Sequence, residues 1–275
     1  GGASPLHAAA ARGAAGEAAA LALLASADAT AVEAVCGAGI TALHLAAWTG
    51  SLALLEALLQ AKADPSRCSD SGLRALEFAA LGGHAPCVEA LLRWLPPLAA
   101  PEAGVTLPAL HCASLQGTEC VGLLLAAAPA QLHMRGAGGV LPTHCAAAAA
   151  NEAGLRALLA AGGDAGALDE AGLSALHLAC AGGHAECVSE LVAAGADING
   201  SSAAFPWTPL HCATAFARGE GGLESIRVLL AAGADRALAP AAAGRTPLEL
   251  AQLLSEAEER DASSHARAVL ALLEQ

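Results

Sequence analysis

Tyrosine is absent from these 275 residues, and phenylalanine and tryptophan number three each. A core of large interlocking aromatics is therefore excluded. Lysine occurs once, as Lys62, and the 13 Lys and Arg are outnumbered two to one by 26 Asp and Glu, for a formal net charge of −13. Nucleic acids and anionic membrane surfaces are approached through basic stripes, so neither is an expected partner. No apolar run reaches the roughly 18 uninterrupted residues of a membrane span. No basic stretch followed by an apolar one opens the chain, and the nine Cys lack the dense spacing of a secreted disulfide scaffold. The expectation is an intracellular chain, cytoplasmic with the nucleus also open. Gly1-Gly2 at the start and Met134 as the sole methionine read as a segment of something longer.

Small residues are abundant instead. There are 77 Ala and 30 Gly, more than a third of the chain, and a mean hydropathy of +0.52 argues against disorder. Such a composition suits short helices whose backbones approach closely.

One phrase recurs: Ser4-Pro5-Leu6-His7, Thr41-Ala42-Leu43-His44, Ser174-Ala175-Leu176-His177 and Thr208-Pro209-Leu210-His211. Looser copies start at Arg74, Pro108, Leu141 and Thr246. The fourth residues fall at 7, 44, 77, 111, 144, 177, 211 and 249, with spacings of 37, 33, 34, 33, 33, 34 and 38. Ser or Thr before Pro or Ala is an N-cap followed by a first helical turn. Gly50, Gly83, Gly117 and Gly183 are read as C-caps of that helix. A second helix follows, with Leu pairs at helical spacing as in Leu54-Leu55 and Leu58-Leu59, and Gly195 and Gly233 end two such helices. Neither helix is long enough to stand alone in water, so neighbouring copies must bury what one cannot.

The phrase and its period resemble the ankyrin repeat, T-P-L-H-x-A at about 33 residues. The stretch from Asp169 to Asn199 matches along its whole length, and the resemblance extends over residues 1–275 as one domain of about eight repeats. It implies an all-α solenoid of helix-turn-helix units with short β-hairpin fingers, whose tips would include Asp70–Leu73 and Asp169–Leu173. Three copies depart from the pattern. The fourth carries Pro96-Pro97 and Pro101, expected to lengthen or distort a finger. The seventh inserts about four residues around Arg218-Gly219-Glu220-Gly221, between its two helices. The eighth replaces the Gly-His turn with the charged run Glu256 to Asp261, suited to a polar cap. In the first copy Leu21, Leu23 and Leu24 lack an evident capping neighbour.

The resemblance also assigns His7, His44, His111, His144, His177 and His211 a structural role, bonding finger to helix start. A residue recurring at one repeat slot has a structural job, since a catalytic base is needed once. Glu77 and Glu249 fill the same slot and are not expected to make the same bond in the same way. His111-Cys112, His144-Cys145 and His211-Cys212 are spaced by the repeat rather than as zinc ligands, and no metal or cofactor is expected. Cys87, Cys120 and Cys187 each precede Val at an aliphatic slot and are expected in the core. Cys36 and Cys68 lie near fingers and are expected to be the accessible thiols. Asn199-Gly200-Ser201 matches a glycosylation sequon, and its surroundings resemble the asparagine-hydroxylation context of some ankyrin proteins. Turn formation explains Asn199 without modification.

Familiar enzyme signatures are absent: no G-x-x-x-x-G-K-[ST], G-x-S-x-G, H-E-x-x-H or G-x-G-x-x-G. Family ligands meet the finger tips and inner-helix ends. Trp48 aligns with an inner-helix end in copy two, Phe205 and Trp207 with the finger of copy seven, and Phe216 with its inner-helix end. Phe78 is expected to pack between copies. The reading is a non-catalytic scaffold or adaptor binding another protein, one with a basic surface, through Phe205, Trp207, Phe216 and Trp48. Two alternatives stay open: a regulatory segment of a larger enzyme or channel, and a copy-seven insertion that folds back and buries its own aromatics.

Overall fold

The structure, a computed structural model, describes residues 2–95, 107–202, 204–216, 218–239, 244–258 and 264–274. The chain forms two compact units, Gly1–Ala137 and Gly138–Gln275. The proline-rich stretch 96–101 of copy four and the end of the charged run in copy eight lie outside the described residues.

Unit 1 contains α1 (Pro5–Ala10), α2 (Glu17–Ala25), α3 (Ala29–Val32), α4 (Ala42–Thr49), α5 (Leu52–Gln60), α6 (Ala75–Leu81), α7 (Ala85–Trp94), α8 (Ala109–Gln116) and α9 (Thr118–Ala127). Unit 2 contains α10 (Pro142–Ala148), α11 (Glu152–Ala160), α12 (Ala175–Gly182), α13 (Ala185–Ala193), α14 (Pro209–Phe216), α15 (Gly219–Ala231), α16 (Pro247–Glu258) and α17 (Ser264–Leu273). A helix begins at the second residue of every phrase. Within unit 1 the inner layer stacks α1, α4, α6 and α8, and the outer layer α2, α5, α7 and α9. Unit 2 repeats the plan with α10, α12, α14 and α16 inside and α11, α13, α15 and α17 outside.

Alanine makes this spacing possible. Ala42, Ala46, Ala47, Ala75, Ala79 and Ala80 are buried between successive inner helices, where larger side chains would push the backbones apart. Leucines fill the space between layers: Leu54, Leu55, Leu58 and Leu59 are almost wholly buried, each stabilising by about 1.5–3 kcal/mol. Gly50 ends α4 at φ 71°, and a Cβ there would also come within 2.5 Å of the His84 ring. That ring places Nε2 2.9 Å from the Trp48 carbonyl, so Gly50 serves both the left-handed cap and the tie to the next repeat.

Several local expectations change in the structure. Gly117 caps α8 with extended backbone, φ −142°, rather than in the left-handed form, and α6 ends on Gly82 before the left-handed Gly83. The copy-seven insertion is helical: it adds a turn to the start of α15, which runs 13 residues. Glu256 still belongs to α16. The fingers are tight turns rather than extended ladders. Ser69 and Asp169 each donate a backbone N–H to the carbonyl four residues on, Leu73 and Leu173, at 2.9 Å. Among the described residues one isolated bridge, Leu168 with Ser174, represents strand pairing.

Candidate functional site

Each phrase builds a junction before it offers a surface. In copy two, the backbone N–H of Thr41 donates to His44 Nδ1 at 3.1 Å, and the Thr41 hydroxyl lies 2.8 Å from the same nitrogen. An Nδ1 that accepts a backbone N–H leaves the proton on Nε2, which donates to the Arg67 carbonyl at 3.1 Å. The same arrangement links His144 to the Leu173 carbonyl, His177 to that of Trp207 and His211 to that of Arg245, at 3.0–3.2 Å. His7 reaches the Ile40 carbonyl at 3.1 Å and Ser4 Oγ at 2.7 Å. His111 is fully buried in α8. Burial holds His44, His177 and His211 below the usual imidazole range, against the opposing pull of the carbonyls they face.

Three copies solve this junction with other chemistry. Glu77 does reach back to the N-cap, accepting the Arg74 N–H at 2.9 Å, and also forms a bidentate pair with the Arg74 guanidinium at 3.2 and 2.8 Å. Both side chains are buried. Glu249 likewise accepts the Thr246 N–H at 2.8 Å. The expectation that glutamate could not reproduce the histidine bond therefore fails for the N-cap half, because a carboxylate accepts as well as Nδ1. It holds for the other half, since an ionised carboxylate has no proton to donate onward. In copy four, Pro108 offers no side-chain acceptor, and Gln131 from the following 3₁₀ turn accepts the Leu110 N–H at 3.0 Å. Pro108 signals from sequence that the usual cap is missing, but not which residue replaces it.

The aromatic residues of copy seven meet one another. Ser202 exchanges two 2.9 Å bonds with Phe205, backbone to backbone and hydroxyl to N–H, closing a turn. Pro206 disfavours helical backbone at Phe205, just ahead of Trp207. Ring centroids lie 6.2 Å apart for Phe205 and Trp207, and 5.6 Å for Trp207 and Phe216 at the end of α14. The Trp207 ring also stacks on His211 at 6.2 Å, and Phe205 meets His177 edge-on at 5.8 Å. The two structural histidines thus hold the rings from below. Phe205 and Trp207 are half-buried, whereas Phe216 is 54% exposed. The lengthened α15 does not cover it.

Trp48, the fourth aromatic singled out from sequence, belongs to unit 1. It is 49% exposed at the end of α4 and meets the Phe78 ring edge-on at 6.3 Å. Phe78 is half-buried and also lies edge-on to His44 at 5.2 Å, bridging α4 and α6.

Cys87, Cys120 and Cys187 are buried, with thiols pushed up to about 11 by desolvation, and Cys212 to about 12 for the same reason. Cys36 and Cys68 are half-buried near the fingers. Asn199 accepts the backbone N–H of Asp235 through Oδ1 at 2.8 Å, tying one repeat to the next. Among the described residues no group of three or more His, Cys, Asp or Glu is placed to hold a metal ion. Among the same residues no helix is long and apolar enough to cross a membrane.

A stack of paired helices with a histidine phrase in six of its eight steps points to the family, and the model for ankyrin repeats in three copies matches residues 6–96 and 143–239. The chain belongs to the ankyrin repeat family. It is similar to the human ASB11 ankyrin repeat domain, with 25% identity and a TM-score of 0.56 over 98% of each chain. It also resembles in fold the ankyrin repeat domain of Bcl-3, described as a unique member of the IkappaB protein family. There the identity is 24% and the TM-score 0.52, over 100% of this chain and 99% of that one. A sequence search of curated proteins finds no match. Ankyrin repeat domains are in general non-catalytic modules that bind other proteins, and differ in what they bind.

Proposed function

We propose that this ankyrin repeat chain is a non-catalytic scaffold whose protein partner seats on the Phe205–Trp207–Phe216 surface of unit 2. The observation that carries this reading is the continuity of the three rings combined with the exposure of Phe216. A large aromatic left half in water, beside two rings already held in place, gains apolar contact on binding and loses little side-chain entropy. Unit 2 carries seven Arg against sixteen Asp and Glu, a field that repels polyanions. Cysteines packed as thiols at aliphatic positions suit a reducing compartment.

The test uses Phe216 rather than Trp207, because Trp207 touches three rings and its loss would also disturb His211 and the finger. Phe216→Ala should weaken a partner captured by the whole chain by about 2 kcal/mol while leaving the melting temperature nearly unchanged. Trp48→Ala should leave the affinity of that partner intact. An unchanged affinity for Phe216→Ala with a lost one for Trp48→Ala would move the site to unit 1.

A further inference from the structure

We infer that the partner segment seated on the aromatic surface is an extended basic peptide, with one large apolar side chain flanked on both sides by Lys or Arg. The inference rests on the site proposed above and adds the chemistry of its occupant. In repeat order two concavities flank the ring-bearing phrase, one lined by His177, which touches Phe205, and one lined by Arg245, whose carbonyl His211 bonds. On one side, His177 meets Phe205 edge-on and also lines a pocket of about 130 Å³ with Leu168 and Asp197. Leu168 is 40% exposed there, and Asp197 is exposed and pinned by the Asn199 N–H on Oδ1 at 3.0 Å. On the other side, His211 stacks under Trp207 and bonds the Arg245 carbonyl. Arg245 borders a concavity of about 370 Å³ with Glu249, Gln252, Leu253 and Glu256.

The charges in these hollows are held in place for a reason unrelated to each other. Asp197 is fixed by its turn, and Glu249 by the N-cap of α16. Neither can collapse onto a distant cation. Two other arginines of unit 2 are engaged elsewhere: Arg156 pairs with Glu152 and Glu190, and Arg227 with Glu220 and Glu224. Among the described residues Arg245 is the one cation lining the larger hollow, against the carboxylates of Glu249 and Glu256. An apolar centre with a net negative hollow on each side is therefore what unit 2 presents. Its whole sequence carries a net −9, which steers a basic segment toward it.

The spacing of the occupant follows from the repeat. Neighbouring helices are separated by about 8–10 Å, and an extended chain advances about 3.3 Å per residue. Each cation should therefore lie about three residues from the apolar anchor.

The experiment selects peptides of about nine residues, long enough to cover both hollows, from a displayed random library on the whole 275-residue chain at low salt. Fluorescence anisotropy of a labelled synthetic copy of the winner then gives its Kd. The expected winners carry Trp, Phe or Leu with Lys or Arg about three residues away on each side. Phe216→Ser should weaken the winner about thirtyfold. Asp197→Asn, which keeps the turn acceptor, and Glu256→Gln should each weaken it about threefold to fivefold, with the effect shrinking in high salt. Circular dichroism melts confirm that each variant is folded. Neutral or acidic winners that still need Phe216 would overturn the charge inference and leave the aromatic site standing. So would basic winners indifferent to both charge variants. Winners indifferent to Phe216→Ser, or no winners at all, would overturn the site itself and the inference with it.

Discussion

Unit 1 holds one ring pair and a separate Trp94, whereas unit 2 gathers three rings into one run. Trp48 and Phe78 meet edge-on across α4 and α6, and Trp94 stands 53% exposed at the end of α7. In unit 2 Phe205, Trp207 and Phe216 form one run over two histidines. Charge divides the same way: six Lys and Arg against ten Asp and Glu in unit 1, for −4, and seven against sixteen in unit 2, for −9. Both units keep a Ser- or Thr-capped histidine at two of their four phrases, but unit 1 adds the buried Arg74–Glu77 pair. The lesson is that the scaffold fixes where side chains point, while the slots it leaves free decide whether a unit can recognise anything.

The largest expected effect tests whether unit 1 depends on its unusual junction. Arg74→Ala leaves the Glu77 carboxylate buried without its cation, which should cost about 3–5 kcal/mol in urea denaturation. The double change Arg74→Thr with Glu77→His installs the phrase used at Thr41 and His44, and should recover most of that loss. A single-variant cost under about 1 kcal/mol would mean that water enters the junction and that the two kinds of junction are equivalent.

A second contrast lies in acid. Burial lowers the pKa of His44 in unit 1 and of His177 and His211 in unit 2. A lowered folded-state pKa means that the unfolded chain takes up protons first. The stability these histidines contribute is therefore fully present above about pH 6.5 and is lost as pH falls below it toward the folded values. The carboxylates Asp169 and Asp197 oppose the shift at His177, and the carboxylate of Glu33 does so at His44, where the guanidinium of Arg67 adds to it. Because His177 and His211 sit in adjacent phrases, α12 and α14 of unit 2 should lose hydrogen-exchange protection before α4 of unit 1 on acidification from about pH 7.5 to about pH 5.5. Equal loss in α4 and α12 together with α14 would show that the protons are taken up elsewhere.

Much of this architecture was legible in the phrase and its period, because an N-cap followed by short alanine-rich turns admits few other structures. The helix starts at Ala42 and Ala175 follow directly from the cap residue in front of each. What escaped was every junction that departs from the usual cap and histidine. Arg74 fills a cap slot that usually takes a hydroxyl, and only its geometry with Glu77 shows why a long cation fits there. Gln131 serves Leu110 from a separate turn, a contact that no local pattern encodes. The ring slots of copy seven could be aligned from sequence. Their mutual distances could not, since these depend on the Ser202 turn and on how His177 and His211 seat the rings.

The smallest effect sharpens the comparison most cleanly, because each unit has a left-handed helix end without glycine. Lys62 follows the outer helix α5 at φ 68°, where other repeats place Gly195 and Gly233, and Ala150 follows the inner helix α10 at φ 57°, where others place Gly50 and Gly183; both are exposed. A side chain in that region costs about 1–2 kcal/mol. Glycine removes the strain and returns part of the gain through the greater freedom of the unfolded chain. Lys62→Gly and Ala150→Gly should therefore each stabilise by about 0.5–1 kcal/mol, with no packing lost at either exposed site. The two differ in charge: Ala150→Gly is neutral, while Lys62→Gly deprives unit 1 of the chain's single lysine and takes it from −4 to −5. If self-repulsion among carboxylates matters in the less acidic unit, Lys62→Gly will gain less than Ala150→Gly at low salt, and the gap will close in high salt. Equal gains at both salt concentrations would show that unit 1 tolerates its charge, leaving the excess of acid in unit 2 free to be explained by what it binds.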